Sequence, residues 1–163
     1  MIRIREAKMR DVPEILKIWK EFMKYHDEIV IKKDQRFREF VKKKENAPAL
    51  FRKYVTKDIR SPKAKIILAH VNNELVGYSI ALISEDIPLF RTGKIGCIAD
   101  IFVRKEFHGK GISSLLKEHA FRWFKEKGVK YVSVSVLGAN EHAHEVYKKW
   151  GFFDYKIELR REI

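Results

Sequence analysis

Two short stretches hold the residue types that could do chemistry at fixed spacing. The first runs from Ile98 to Ser114 and reads IADIFVRKEFHGKGISS. An apolar strand-like run leads into a loop with Gly109 and Gly111, and the loop opens directly into a helical pattern. Glycines there let backbone N–H groups turn towards a ligand and approach it closely. A helix N-terminus adds unpaired donors and partial positive charge, which suits a phosphate or pyrophosphate. Arg104, Lys105 and Lys110 are expected to reinforce that charge. Two glycines alone fit an ordinary strand–helix turn better. The second stretch, Asn140 to Phe152, reads NEHAHEVYKKWGF. Asn140, Ala143 and Tyr147 stand at i, i+3 and i+7 and share one helix face. A tyrosine beside an asparagine and a small alanine suits a ligand-facing surface, although an isolated tyrosine on a helix is more often a core aromatic.

Several chemistries are excluded. No G-x-x-x-x-G-K-[ST] occurs, so a P-loop nucleotidase is ruled out, and no G-x-G-x-x-G follows the first strand. His142 and His144 are two apart on a helix and point away from each other, so they cannot share a metal, and no metal site is expected. Cys97 is the only cysteine. It permits neither an internal disulfide nor a cysteine zinc cage, and no His–Asp set accompanies it as a nucleophile.

The positioning elements follow from periodicity. Ile2 to Arg5 alternates as a short strand. Asp11-Val-Pro-Glu14 reads as a capping box with proline in the first turn, opening a helix from about Val12 to Tyr25, with a break over 26–34. Two further helical pieces meet near Asn46-Ala47-Pro48. Lys65 to Val71 and Leu75 to Ile83 are paired strands joined at Asn72-Asn73, and Lys94 to Val103 is a third. Residues Ile112, Leu115, Leu116, His119, Ala120, Trp123 and Phe124 make an amphipathic helix after Gly111. Tyr131 to Val136 is a strand, Asn140 to Trp150 a helix, and Phe153, Tyr155, Ile157 and Leu159 alternate with charged residues as a last strand. The order β-α-α-β-β-β-α-β-α-β gives an α/β (α+β) fold with a mixed central sheet flanked by helices. Residues 1–163 form one domain with no visible linker.

The chain of 163 residues carries 35 Lys+Arg against 22 Asp+Glu, a formal charge of +13. Its 45% hydrophobic content supports a core and argues against disorder. The N-terminus lacks a signal-peptide pattern and no run is long enough to cross a membrane, so a cytoplasmic, soluble protein is expected. Thirteen Lys/Arg against four acids fall in residues 32–65, leaving that segment +9 of the total. The charge admits anionic partners or a solubilising surface.

Together the two stretches resemble the GNAT superfamily of acetyl-CoA-dependent N-acetyltransferases. Its [QR]-x-x-G-x-[GA] loop corresponds to His108-Gly109-Lys110-Gly111-Ile112-Ser113, with His108 and Ser113 departing from the usual types. Its N-x-x-A-x-x-x-Y-x-x-x-G-F helix corresponds to Asn140, Ala143, Tyr147, Gly151 and Phe152. The resemblance implies acetyl-CoA as cosubstrate, with pyrophosphate on the amides of Gly109, Lys110, Gly111, Ile112, Ser113 and Ser114 and a backbone N–H of His108 nearby. It implies pantetheine alongside Phe102 and Val103, Asn140 and Ala143 beside the pantetheine arm, and Tyr147 donating a proton to the departing thiolate. A strand N–H would polarise the thioester carbonyl. Asp100 is the first candidate for the base that neutralises the amine. It lies mid-strand on the face of Ile98 and Phe102, where a carboxylate is costly unless used or paired. Glu85 and Asp86 could instead hold a cationic amine.

Three functions remain open. The first is transfer of acetyl from acetyl-CoA to a primary amine of a small molecule or protein. The second is a non-catalytic acyl-CoA-binding regulator, which would have no need of Tyr147. The third, a nucleic-acid-associated basic protein, rests on charge alone, so binding to nucleic acid is at most nonspecific. After Gly151 there is room for one terminal strand where many members have two, which bears on the acceptor pocket and leaves a homodimer open.

Overall fold

The computed structural model describes residues 1–163. Its centre is a five-stranded sheet in sequential order, built from β1 (Ile2–Glu6), β2 (Ala64–Val71), β3 (Glu74–Glu85), β4 (Lys94–Val103) and β5 (Tyr131–Val134). β1 to β4 are antiparallel neighbours, and β5 joins β4 in parallel. Asn72 and Asn73 adopt φ of 50° and 68°, the left-handed pair that a two-residue hairpin turn between β2 and β3 demands.

Helices cover both faces. α1 (Val12–Lys33), the single-turn α2 (Phe37–Val41) and α3 (Ala47–Ile59) lie on one side, where Ile15, Ile18, Trp19 and Val55 pack against Ile66, Leu68, Tyr78, Ile80 and Phe102. α4 (Ile112–Glu126) lies on the other, where Ile112, Leu116, Ala120, Trp123 and Phe124 meet Ile67, Ala69, Val76, Ala81, Ile98 and Val103. The period-two alternation of the central strands therefore feeds two cores, which is why β2 and β3 read as nearly continuous apolar runs. α5 (Glu141–Lys149) follows β5 and has no buried residue.

Four expectations are corrected. α1 does not break at residue 26 but runs to Lys33, because Val30 is fully buried and Asp27 is satisfied by Lys43, at 2.5 Å, from beyond the helix. The Asp11 capping box does not form. Asp11 instead takes a two-pronged ion pair from Arg5 at 2.7 and 2.8 Å and the Lys8 N–H at 2.7 Å, partners that hold its carboxyl down at about 2. β5 is only four residues long and ends at Val134. The last strand does not form within the chain: residues 153–163 are in no regular element, and Phe153, Tyr155, Ile157 and Leu159 are exposed.

Candidate active site

The site is created where β4 parts from β5. Pairing runs from Ile95 with Tyr131 to Ile98 with Val134, and then stops, while β4 continues to Val103 along β3. The change coincides with a bulge in β4. Ile80 faces Asp100 but Ala81 faces Ile98, so Ala99 is an extra residue. A bulge bends and over-twists its strand, and it inverts the facing of the residues beyond it. Ile98 consequently packs under α4, whereas Phe102 packs on the α1 side. The expectation that Asp100 shares a face with both is thus corrected: it shares one with Phe102, Tyr78 and Ile80, and not with Ile98.

That inversion gives Asp100 its partner. The fully buried Tyr78 hydroxyl donates to Asp100 Oδ2 at 2.9 Å. Burial pushes the Asp100 carboxyl up to about 6, with the Tyr78 hydrogen bond pulling the other way. Tyr147 on α5 is pushed up to about 12, first by burial and then by the negative charge of Asp100. The two groups therefore share one electrostatic environment, with the carboxyl titrating near neutrality and the phenol staying protonated. The Tyr147 ring leans on Trp150 and Phe152, and its hydroxyl has no partner within the chain.

Beyond the strand, Arg104 donates its N–H to Val76 O at 2.8 Å and so faces β3. Because strand groups alternate, the backbone groups of Ile101 and Val103 face the opposite, open side. The Phe102 side chain is not on that side: it stacks on Phe22 at 5.1 Å and lies near Tyr25 in the core. Val103 O accepts from His108 Nε2–H at 2.7 Å, so the histidine ring pins the loop to the strand end. The His108 N–H is spent on Lys105 O at 3.1 Å and is not aimed outward as expected.

The loop itself leaves a run of donors. Gly109 and Gly111 have φ of +75° and +74°, left-handed values that favour glycine. From Gly109 to Ser114, none of the six N–H groups is hydrogen-bonded within the chain. The first donor after them is Leu115, to Gly111 O at 3.1 Å. Nothing lies within 4 Å of where a Cβ would stand on either glycine, so both face open space. A turn of alternating glycines flowing into the 15-residue α4 is an anion cradle by geometry and by dipole. Its positive charge is smaller than the sequence suggested. Arg104 is held by Glu21 at 2.6 and 2.9 Å and by Glu74 at 2.6 Å, so its charge is already neutralised. Lys110 lies over the Phe107 ring at 4.7 Å, beside the cradle.

α5 forms the far wall. Its half-buried positions are Ala143, Val146 and Tyr147, with Trp150 just beyond, at i, i+3, i+4 and i+7. Asn140 caps it, Oδ1 accepting from the Ala143 N–H at 3.2 Å, which leaves the side-chain amide free. Lys33 at the end of α1 reaches Glu141 at 2.9 Å and ties α5 to the opposite helical layer. Lys117 over Trp150, and Phe121 against Phe152, tie it to α4. α5 is thus half-covered on one face and anchored at both ends, beside the point where β4 parts from β5. Asp86, a candidate for holding the amine, is occupied by Thr92 and the Ile87 N–H within its own loop. No cluster of His, Cys, Asp and Glu could hold a metal.

Sequence reading missed the hydrogen bonds of Tyr78 and His108. Tyr78 gave no motif, and only a bulge brings its hydroxyl to Asp100.

Known proteins share the family and the fold of this chain. The model of the Acetyltransferase (GNAT) family matches residues 17–152. An uncharacterized N-acetyltransferase of Archaeoglobus fulgidus is 31% identical over 85 residues, which span 52% of this chain and 57% of that relative's length. The fold is similar to the tetramutant of the BH1408 protein of Bacillus halodurans, with a TM-score of 0.81 at 20% identity over 99% of both chains. It is also similar to a predicted acetyltransferase of Clostridium acetobutylicum with acetyl-CoA, with a TM-score of 0.76 at 19% identity over 99% of this chain and 96% of that one. On these grounds the chain belongs to the GNAT acetyltransferase family.

Proposed function

We propose that residues 1–163 act as one domain that transfers the acetyl group of acetyl-CoA directly to a primary amine. The single observation that carries this reading is the run of six unpaired N–H groups, 109–114, at the end of a strand that has just parted from its neighbour. The cradle suits the CoA pyrophosphate, and the unpaired backbone side of β4 at Ile101 and Val103 suits the extended pantetheine arm, with the Asn140 side-chain amide free to contact it.

In this mechanism the amine nitrogen attacks the thioester carbon while a strand N–H, that of Val103 or Ile101, stabilises the oxygen as it gains charge. Asp100 takes the amine proton, directly or through water. A carboxyl titrating near 6 is largely ionised at neutral pH and still basic enough to be useful. As the C–N bond forms the C–S bond breaks, and Tyr147 gives its proton to the CoA thiolate. A phenol held near 12 stays protonated at working pH, so the donor is present in every cycle, although it is a weaker acid than a phenol at the ordinary value of 10.0. Tyr78 is a positioning residue that holds the Asp100 carboxylate in place.

The acceptor is read as an amine with anionic character. Lys42, Lys44, Arg52 and Lys53 are exposed on the helical side, and Asp86 is engaged elsewhere. A polycation would meet repulsion there. Contact with nucleic acid is at most nonspecific, and a cytoplasmic setting, where acetyl-CoA is supplied, fits the reading.

The test is thiol release from acetyl-CoA across a panel of small amines, amino-acid derivatives and peptides. Tyr147→Phe is expected to lower turnover by about a hundredfold or more while leaving CoA affinity nearly unchanged. Tight CoA binding with no release on the whole panel would favour a non-catalytic acyl-CoA-binding regulator.

A further inference from the structure

We propose that the cleft between α1 and α3 docks an acidic segment of a partner protein, one that carries an apolar side chain between carboxylates. The proposal is independent of acetyl transfer, since no cleft residue is part of the acetyl-transfer site.

Both helices carry proline in their first turn, Pro13 in α1 and Pro48 in α3. Beneath them Trp19 stacks on Phe51 at 4.3 Å and 10°, which fixes one helix against the other. Between the two lies a cleft of about 490 Å³. Its apolar surface comes from the two proline rings with Leu16 and Ala49. Proline rings are rigid, so this surface loses little conformational freedom when it is covered.

The other lining residues are all cations: Lys17 and Lys20 from α1, and Arg52 from α3. No carboxylate lines the cleft. All three cations are exposed, and none forms an ion pair within the chain. The cause lies in α1. Glu21 stands four residues after Lys17, the spacing of a helical ion pair, but Arg104 holds its carboxylate at 2.6 and 2.9 Å. Lys20 has Lys24 at that spacing, and like charges there repel. Glu14, one turn before Lys17, neither pairs with it nor lines the cleft. The face is therefore less stable bare than neutralised.

The lining also decides which kind of anion fits. An inorganic anion would meet the cations and leave the apolar surface wet. A nucleic-acid strand is held by aromatic stacking as well as by charge, and no aromatic ring lines the cleft. A peptide with carboxylates on both sides of a leucine-like side chain uses the whole surface. Lys17 and Lys20 stand about 4.5 Å apart along the helix axis on one wall, and Arg52 stands on the other.

The test is an amide-resolved NMR titration of the full chain with a short peptide of repeating Glu-Leu-Glu. The peptide is blocked at both ends, so it offers no amine to acetylate. It is expected to bind saturably and to shift the amides of Leu16, Lys17, Lys20, Ala49 and Arg52 most. The same peptide with Gln for Glu is expected to bind at least about tenfold more weakly. Lys17→Glu together with Lys20→Glu is expected to weaken the Glu peptide by about tenfold or more, and Arg52→Glu, on the other helix, to act in the same direction. All three positions are exposed, so amides beyond the cleft should keep their wild-type shifts, which separates lost charge from lost fold. The absence of a saturable shift overturns the proposal. So does a peptide that moves other amides and leaves these unmoved, a Gln peptide that binds as well, or reversed variants with undiminished affinity. A single-stranded oligonucleotide that shifts the same amides at lower concentration overturns the assignment to a protein partner.

Discussion

Replacing Asp100 by Asn separates catalysis from stability, because the same burial that makes the carboxyl a base makes its charge costly. The folded protein holds the group at about 6, from an ordinary value of 3.8. Two pKa units correspond to about 3 kcal/mol. The sign is set by linkage. The unfolded chain loses this proton first, so the folded state is penalised as pH rises from about 4 through 6, and the full cost is present above 7. Asparagine keeps an oxygen that can accept from Tyr78 and carries no charge. Asp100→Asn should therefore melt higher at pH 8 by up to about 3 kcal/mol, roughly 2–4 °C for each kcal/mol in a chain of this size. The advantage should nearly vanish at pH 4, where the folded wild-type group is neutral and the unfolded one is only partly ionised. In the same variant thiol release should fall by about a hundredfold or more. The assay is thermal unfolding at the two pH values beside turnover at saturating acetyl-CoA. Turnover within a few-fold of wild type would refute the base. Equal melting at pH 8 would refute the account of its raised pKa.

Tyr78→Phe removes the hydrogen bond that opposes desolvation, so Asp100 should titrate above about 6 and the acidic limb of the pH–kcat/KM profile should move upward. A purely structural role for Tyr78 would lower activity without that shift. Gly111→Ala forces a left-handed backbone on an L residue at a cost of about 1–2 kcal/mol, and should weaken CoA binding by about tenfold as titrated by calorimetry. Gly96→Ala would set its Cβ 2.8 Å from two ring atoms of Phe124, which is 1% exposed and cannot swing away. It should cost about 1–3 kcal/mol in denaturant unfolding, with little effect on CoA affinity per folded molecule.

Features set by neighbours in sequence were legible. The hairpin at Asn72-Asn73, the glycine turn into α4 and the shared face of Asn140, Ala143 and Tyr147 depend on φ preferences and helical period, which residue types report directly. Features set by distant partners were not. Arg104 read as a phosphate ligand because Glu21 is 83 residues away in sequence and Glu74 is 30. Asp11 read as a helix cap because nothing local announces that Arg5 will cross from β1 to claim it. α1 read as ending early because His26, Asp27 and Glu28 look like a polar break, although Val30 returns to the core one turn later. The bulge at Ala99 left no mark on the pattern, yet it decides which face Asp100 takes. The tail alternates as cleanly as any strand of the sheet, but its pattern specifies a strand and not whose edge it joins.

The claim on which the rest depends is that the backbone between Gly109 and Ser114 receives the CoA pyrophosphate. An amide-resolved NMR titration with CoA tests it most directly. The six amides from 109 to 114 should shift most, together with Ile101 or Val103 on the open side of β4. CoA binding that leaves these amides unmoved, with its largest shifts elsewhere on the molecule, would contradict the account.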